Sequence, residues 1–146
     1  MTPTDPIPAE AAIVTKDVTL NAPPALVWAA LRDFGAVDTR LAPGFVTACR
    51  LEGTARICTF ANGSTAREEL VAWDDAARRL TYTIPSERMT WHRATAEVHD
   101  APGGGTRFVW TTAVAPAVIA DYISPQMDLG VAAMSRTLEA AARESA

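Results

Sequence analysis

The sequence predicts an α+β fold: a six- to seven-stranded curved antiparallel sheet wrapped around a long C-terminal helix, with one short helix after the first strand. Three observations carry this expectation. Six strand-like stretches between residues 46 and 114 are joined by short turn signals such as Gly53, Asn62-Gly63 and Pro102-Gly103-Gly104-Gly105. Connections that short make neighbouring strands antiparallel, because a parallel return needs a crossover of about a dozen residues. Only one long amphipathic helix is present to cover the apolar face. A sheet that wide cannot lie flat on a single helix; it must curl round it, and the curl leaves a cavity at one end.

Residues 13–20 read as the first strand. The stretch NAPPALVWAALRDF then changes period: Asn21 is a cap candidate, Pro23 and Pro24 suit a helix start, and Val27, Trp28, Leu31 and Phe34 form one apolar stripe ending at Gly35. Residues 36–45 read as a loop with room for one helical turn. Strands follow near 46–52, 55–61, 65–73, 78–84, 91–99 and 106–114. A two-residue loop at Gly53-Thr54 pairs residues whose numbers sum to about 107, which sets Cys49 opposite Cys58. In a reducing cytoplasm that pair reads as two packed thiols, with a strained cross-strand disulfide as the alternative. Over the last thirty residues Ile119, Ile123, Met127, Val131, Met134 and Leu138 recur at helical spacing. Pro125 either starts a fresh helix capped by Ser124 or kinks a single one; the preferred reading is a short helix followed by a long one over 124–143. Gly130 in mid-helix costs about 1 kcal/mol relative to alanine, which points to a close approach there.

Composition bounds the function. The 146 residues are the length of one domain over 1–146, with residues 1–11 read as a loose, proline-rich tail. Hydrophobic residues make up 49% and charged residues 21%, an ordinary globular balance. The formal charge of −4, with no clustered basic face, argues against nucleic acid as a partner. No apolar run approaches the roughly 20 residues of a membrane helix, and the first residues lack a signal-peptide pattern, so a soluble cytoplasmic protein is expected. Two cysteines have no zinc-site spacing, and His92 and His99, seven apart on one strand, face opposite ways. No metal site is expected. Nor is there a phosphate loop, a nucleophile elbow or a HExxH motif.

What remains is polar groups in phase with inward apolar ones. Phe108, Trp110 and Thr112 share one strand face; His92, Ala94, Ala96 and Val98 share another; Leu80, Tyr82 and Ile84 form the apolar set between them. The strand over 65–73 has two readings. Either Val71 and Trp73 point inward and bring Arg67 and Glu69 with them, or Leu70 does and brings Glu68. A buried arginine must be paired or must bind a ligand, since an unpaired one is too costly to keep. The candidate lining is therefore Phe60, Val71, Trp73 and Tyr82 from the middle strands, then His92, Ala94, Phe108, Trp110 and Thr112 from the last two. The helix adds Ile123, Met127, Val131 and Met134.

This order of elements resembles the helix-grip fold of the START-like (SRPBCC) superfamily, and within it the bacterial polyketide cyclase/dehydrase-like branch. The residues that carry the resemblance are PPALVWAALRDFGAV, REELVAWDDAARRLTYTI, GGGTRFVWTT and VAAMSRTLEAA, spanning about Ile13 to Ala142. Members of the family often carry Trp before the Pro-Gly that follows the first helix. Here the segment reads Arg40-Leu41-Ala42-Pro43-Gly44, so the mouth of the pocket differs.

Two functions compete, with a filled-core partner-binding domain as a third. The leading one is binding of a hydrophobic or aromatic small molecule in one internal cavity, by a monomer or homodimer without a cofactor. The resemblance implies the other: a cofactor-independent cyclase/dehydratase that closes and dehydrates a polyketide-like chain. His92 or Glu69 would then serve as base, and Arg67 or Tyr82 as carbonyl stabiliser. An empty void of roughly 300 Å³ extrapolates to a destabilisation on the order of 7 kcal/mol. A retained cavity is therefore expected to hold something.

Overall fold

The alternating stretches pair into one antiparallel sheet of seven strands: β1 (Ala12–Leu20), β2 (Val46–Glu52), β3 (Ala55–Phe60), β4 (Thr65–Asp74), β5 (Arg79–Thr83), β6 (Trp91–Asp100) and β7 (Thr106–Ala115). Their order across the sheet is β1-β7-β6-β5-β4-β3-β2, so the meander from β2 to β7 ends beside the first strand. The computed structural model describes residues 4–145. Helix α1 (Pro24–Arg32) and a π-helical turn (Val37–Leu41) link β1 to β2, and α2 (Ala120–Ser145) closes the chain. The expected α+β architecture is borne out, with seven strands.

Local chemistry explains the helices. Pro23 stands at the N-cap of α1 and no side chain caps it; Asn21 instead donates its backbone N–H to Glu139 Oε2 at 2.7 Å, tying the start of α1 to α2. Trp28 Nε1 and Arg32 Nε both reach Asp75 Oδ1, at 2.9 and 2.7 Å, and moor α1 to the β4–β5 turn. Gly35 lies beyond the helix and has another reason to lack a side chain: a Cβ there would meet Leu51 Cγ at 2.7 Å.

The preferred reading of two C-terminal helices is corrected. Helix α2 runs unbroken from Ala120, behind a 3₁₀ turn at Ala117–Ile119, and contains Pro125. Pro125 lies early enough that the carbonyl it leaves without a donor, that of Asp121, belongs to an exposed residue, where solvent is within reach of it. Lys16 on β1 clamps this stretch to the sheet, with its Nζ 2.9 Å from both Ser124 Oγ and Asp128 Oδ1.

Two irregularities bend the sheet. The register slips at Thr47 in β2 and at Val71 in β4, and a bulge adds local twist and curvature. Cys49 pairs with Cys58 as the hairpin arithmetic requires; both are free thiols with their Sγ atoms 3.8 Å apart. Of the stretch 1–11 read as a loose tail, residues 1–3 lie outside the described residues. Residues 4–11 are held: Arg93 Nη1 donates to the Asp5 carbonyl at 2.6 Å and the Ala11 N–H to Pro8 O at 3.0 Å. The core lies between the inner sheet face and both helices, with Leu20, Val27, Leu80, Phe108 and Leu138 nearly solvent-free.

Candidate functional site

Alternation along β5, β6 and β7 brings one row of side chains inward. Tyr82 faces Ala94, which faces Thr112; beside that row Ala96 faces Trp110 and Val98 faces Phe108. Small Ala94 and Ala96 sit between bulky neighbours in this row, and Ala96 opens onto the inner of two spaces. Between the sheet and α2 lies a cleft of about 610 Å³, near the middle of the range for ligand sites. Its apolar wall is Phe45, Phe60, Ile84, Trp110, Ile123 and Met127, and Tyr82, His92 and Thr112 add polar atoms. Below it lies a chamber of about 70 Å³ among Leu80, Ala96, Phe108, Gly130 and Met134. Phe45, Phe60, Glu68, Tyr82 and Trp110 line both spaces.

Gly130 fits the close approach its mid-helix position implies. A Cβ there would stand 3.2 Å from Phe45 Cε2 and from Trp110 Cζ3, so the rings use the space that a side chain would take. Phe45 in turn tilts against Phe60, with centroids 5.3 Å apart.

His92 is the most constrained polar group on the wall. It is 4% exposed, and its Nδ1 accepts the Ile84 backbone N–H at 3.0 Å. In the neutral ring the proton therefore sits on Nε2, which has no hydrogen-bond partner among the described residues. Burial pushes the imidazole pKa down to about 4, so the ring is neutral at physiological pH. His92 is thus a fixed N–H donor. The expected role as a base does not suit it, because its lone pair is already engaged.

Deeper in lies a buried ion pair. Arg56 and Glu68, opposite each other on β3 and β4, are each 6% exposed, with Nε 2.7 Å from Oε1. The guanidinium stacks 4.0 Å from the Phe34 ring and 5.1 Å from that of Tyr82, and donates to Phe34 O at 3.3 Å. Burial is the largest influence and opposes its charge, yet Glu68 together with Tyr82 and Cys58 more than offsets it and the Arg56 pKa stays above its ordinary value. The Tyr82 phenol and the Cys58 thiol are both pushed well above their ordinary ranges, first by burial and then by the Glu68 charge. Both are protonated near neutral pH, and neither is a ready nucleophile.

The sequence-predicted residues divide as follows. Phe60, Tyr82, His92, Trp110, Thr112, Ile123 and Met127 stand on the cleft, and Phe108 and Met134 on the inner chamber. Ala94 is buried in the wall without lining either space. Val131 is displaced by its neighbour, since the approach of Phe45 and Trp110 makes Gly130 the cavity-facing position. On β4 the Glu68–Leu70 phase is the inward one. Glu68 is buried, while the Arg67 guanidinium turns to Glu69 Oε1 at 2.7 Å and Glu52 Oε1 at 2.6 Å, an exposed cluster away from the interior. Arg67 touches only the edge of the cleft, and Glu69 lines neither space. The bulge at Val71 then resets the phase, so Trp73 pairs with inward Leu80. By then the strand has reached α1: Trp73 is 41% exposed under Arg32, and neither Val71 nor Trp73 lines a cavity.

Sequence reasoning missed Arg56 and Phe45. The signal for Arg56 was available: it shares the period-two face of Cys58 and Phe60, and a charge there demands a partner. Phe45 follows Gly44, whose φ of +91° turns the loop, and no periodicity marks such a position. No group of three or more potential metal ligands occurs among the described residues, and no helix is long and apolar enough to cross a membrane.

Comparison with known proteins agrees with this geometry. The profile of a family described as polyketide cyclase/dehydrase and lipid transport matches residues 11–145. A protein structure from Bacillus thuringiensis superposes with a TM-score of 0.76 at 19% identity, covering 87% of this chain and 98% of its own. The protein XoxI from Bacillus cereus gives 0.74 at 20% identity, covering 91% and 96%. A structure from Thermobifida fusca gives 0.69 at 30% identity, covering 87% and 90%. No curated protein matches the chain.

Proposed function

Because the chain belongs to the polyketide cyclase/dehydrase and lipid transport family, we propose that it binds one hydrophobic or aromatic small molecule in the cleft between the sheet and α2. The observation that carries this reading is the cleft of about 610 Å³, walled by the five rings of Phe45, Phe60, Tyr82, Trp110 and Tyr122 yet furnished, on buried His92, with an N–H that has no partner among the described residues. Binding energy comes from covering apolar wall, and orientation from the few polar atoms. The aromatic side chains suit flat ligands, and Met127 adapts to their outline. His92 Nε2–H offers a hydrogen bond to an acceptor on the guest.

Pyrene, a neutral flat probe, is expected to saturate at one equivalent per chain by fluorescence titration. Ile123→Trp fills the cleft from α2 and is expected to weaken that binding at least 10-fold while leaving the urea unfolding midpoint unchanged or raised. Equal affinity in the variant, or binding that never saturates, overturns the reading. Organic extraction of the purified protein followed by mass spectrometry identifies the natural guest.

A further inference from the structure

We propose that Glu68 is the acceptor for a hydroxyl group on the guest, so that the cavity selects neutral, hydroxyl-bearing aromatic molecules over carboxylates. This inference rests on the cleft being a ligand site and adds what the ligand must carry.

Four observations support it. Glu68 is 6% exposed, and only its Oε1 is engaged, by Arg56 Nε at 2.7 Å and more distantly by Cys58 Sγ at 4.0 Å. Oε2 has no hydrogen-bond partner among the described residues, yet it is not sealed off, since among those residues only Trp91 Nε1 is a fully enclosed side-chain polar atom without a partner. Glu68 lines both the inner chamber and the cleft, whereas Arg56 lines the chamber alone, behind the rings of Phe34 and Tyr82. A guest in the cleft therefore meets the carboxylate of the pair and not its guanidinium. Finally, the two arginines that touch the cleft offer no cation in its depth. The Arg67 guanidinium is held by Glu52 and Glu69, and Arg88 lies on the exposed β5–β6 loop at the rim.

The chemistry follows from this arrangement. A carboxylate oxygen on a largely apolar wall, with no donor from the protein among the described residues, is free to accept, and an O–H from the guest supplies a charge-assisted hydrogen bond. A guest carboxylate would instead face Glu68 with like charge in low dielectric. An ether of the same outline fills the space but has no proton to give.

Equilibrium dialysis with 1-hydroxypyrene, 1-methoxypyrene and pyrene-1-carboxylate tests the assignment. Wild-type protein is expected to bind the hydroxyl compound about 10-fold or more tightly than the methoxy compound, with the carboxylate weakest. In Glu68→Gln the hydroxyl preference should fall to a few-fold while methoxy binding is unchanged. If that variant does not fold, the paired replacement Arg56→Met with Glu68→Leu is the substitute, and it should abolish the preference. Equal binding of hydroxyl and methoxy probes by wild type, or tightest binding of the carboxylate, overturns the role of Glu68 and leaves the cleft as a ligand site. Failure of all three probes and of pyrene removes the site itself.

Discussion

Arg56→Met and Glu68→Leu, made singly, are each expected to lose about 3–5 kcal/mol of unfolding free energy, whereas the double replacement should fall within about 2 kcal/mol of wild type. The reasoning starts from burial. Both groups are 6% exposed and share one short contact, 2.7 Å from Nε to Oε1. Removing one partner leaves the other charge in a medium that cannot solvate it, and the penalty is set by that stranded charge. Removing both exchanges a desolvated pair for apolar side chains in a chamber already lined by Leu31, Leu41, Leu80 and Phe108. Methionine suits the slot between the Phe34 and Tyr82 rings because it is flexible and makes favourable contacts with aromatic edges. Urea unfolding of the four proteins closes a double-mutant cycle whose coupling energy measures the pair. A loss under about 1 kcal/mol in both single variants would mean that water reaches the pair from the cleft, and the account of a desolvated ion pair would fail.

That cycle also explains why an ion pair persists where an apolar core would be as stable. Nothing in the fold requires charge at this position. The Arg56–Glu68 contact ties β3 to β4 between the cleft and the inner chamber, and Glu68 lines both spaces. Stability accounts for the pairing of the two residues, while the proposed recognition of a guest hydroxyl accounts for the presence of the charges.

How much of this was legible depends on whether a strand keeps its phase. From His92 to Val98 and from Phe108 to Thr112 alternation runs uninterrupted, and every inward assignment there stands in the structure. In β4 the bulge at Val71 splits one strand into two phases: Glu68 and Leu70 point inward before the bulge, and after it Trp73 shares the phase of inward Leu80 but lies 41% exposed beneath Arg32. A bulge leaves little trace in a single sequence, because the extra residue here is an ordinary valine. Pro125 misled for a related reason. Its cost depends on whether the abandoned carbonyl is buried, and that is a tertiary fact. Phe45 was hidden because it reaches the cavity from a loop turned by Gly44, outside any periodic element. The hollow itself was legible from the supply of elements, seven strands against one long helix.

The second large effect concerns acid. His92 has its pKa lowered to about 4 by burial, against 6.5 for an ordinary imidazole. A depressed pKa means that the unfolded chain takes up a proton that the folded chain refuses. The neutral ring's contribution is therefore complete above pH 6.5 and is lost as pH falls through the window down to about 4. Over that window the loss amounts to about 3 kcal/mol, at roughly 1.4 kcal/mol per pKa unit. Carboxylates in exposed pairs also titrate in acid, so the assignment needs a difference measurement. In His92→Gln the amide oxygen can accept the Ile84 N–H and no proton is taken up at this position. Urea unfolding at pH 7.5, 6, 5 and 4 should then show wild type losing about 3 kcal/mol more than the variant, with the divergence beginning below pH 6.5. The same titration bears on the site: protonation would place a second N–H where Ile84 already donates, so the ring must either break that contact or stay neutral. Parallel curves for the two proteins would show that the imidazole is solvated in the folded state, and the fixed donor on the cleft wall would be lost from the account.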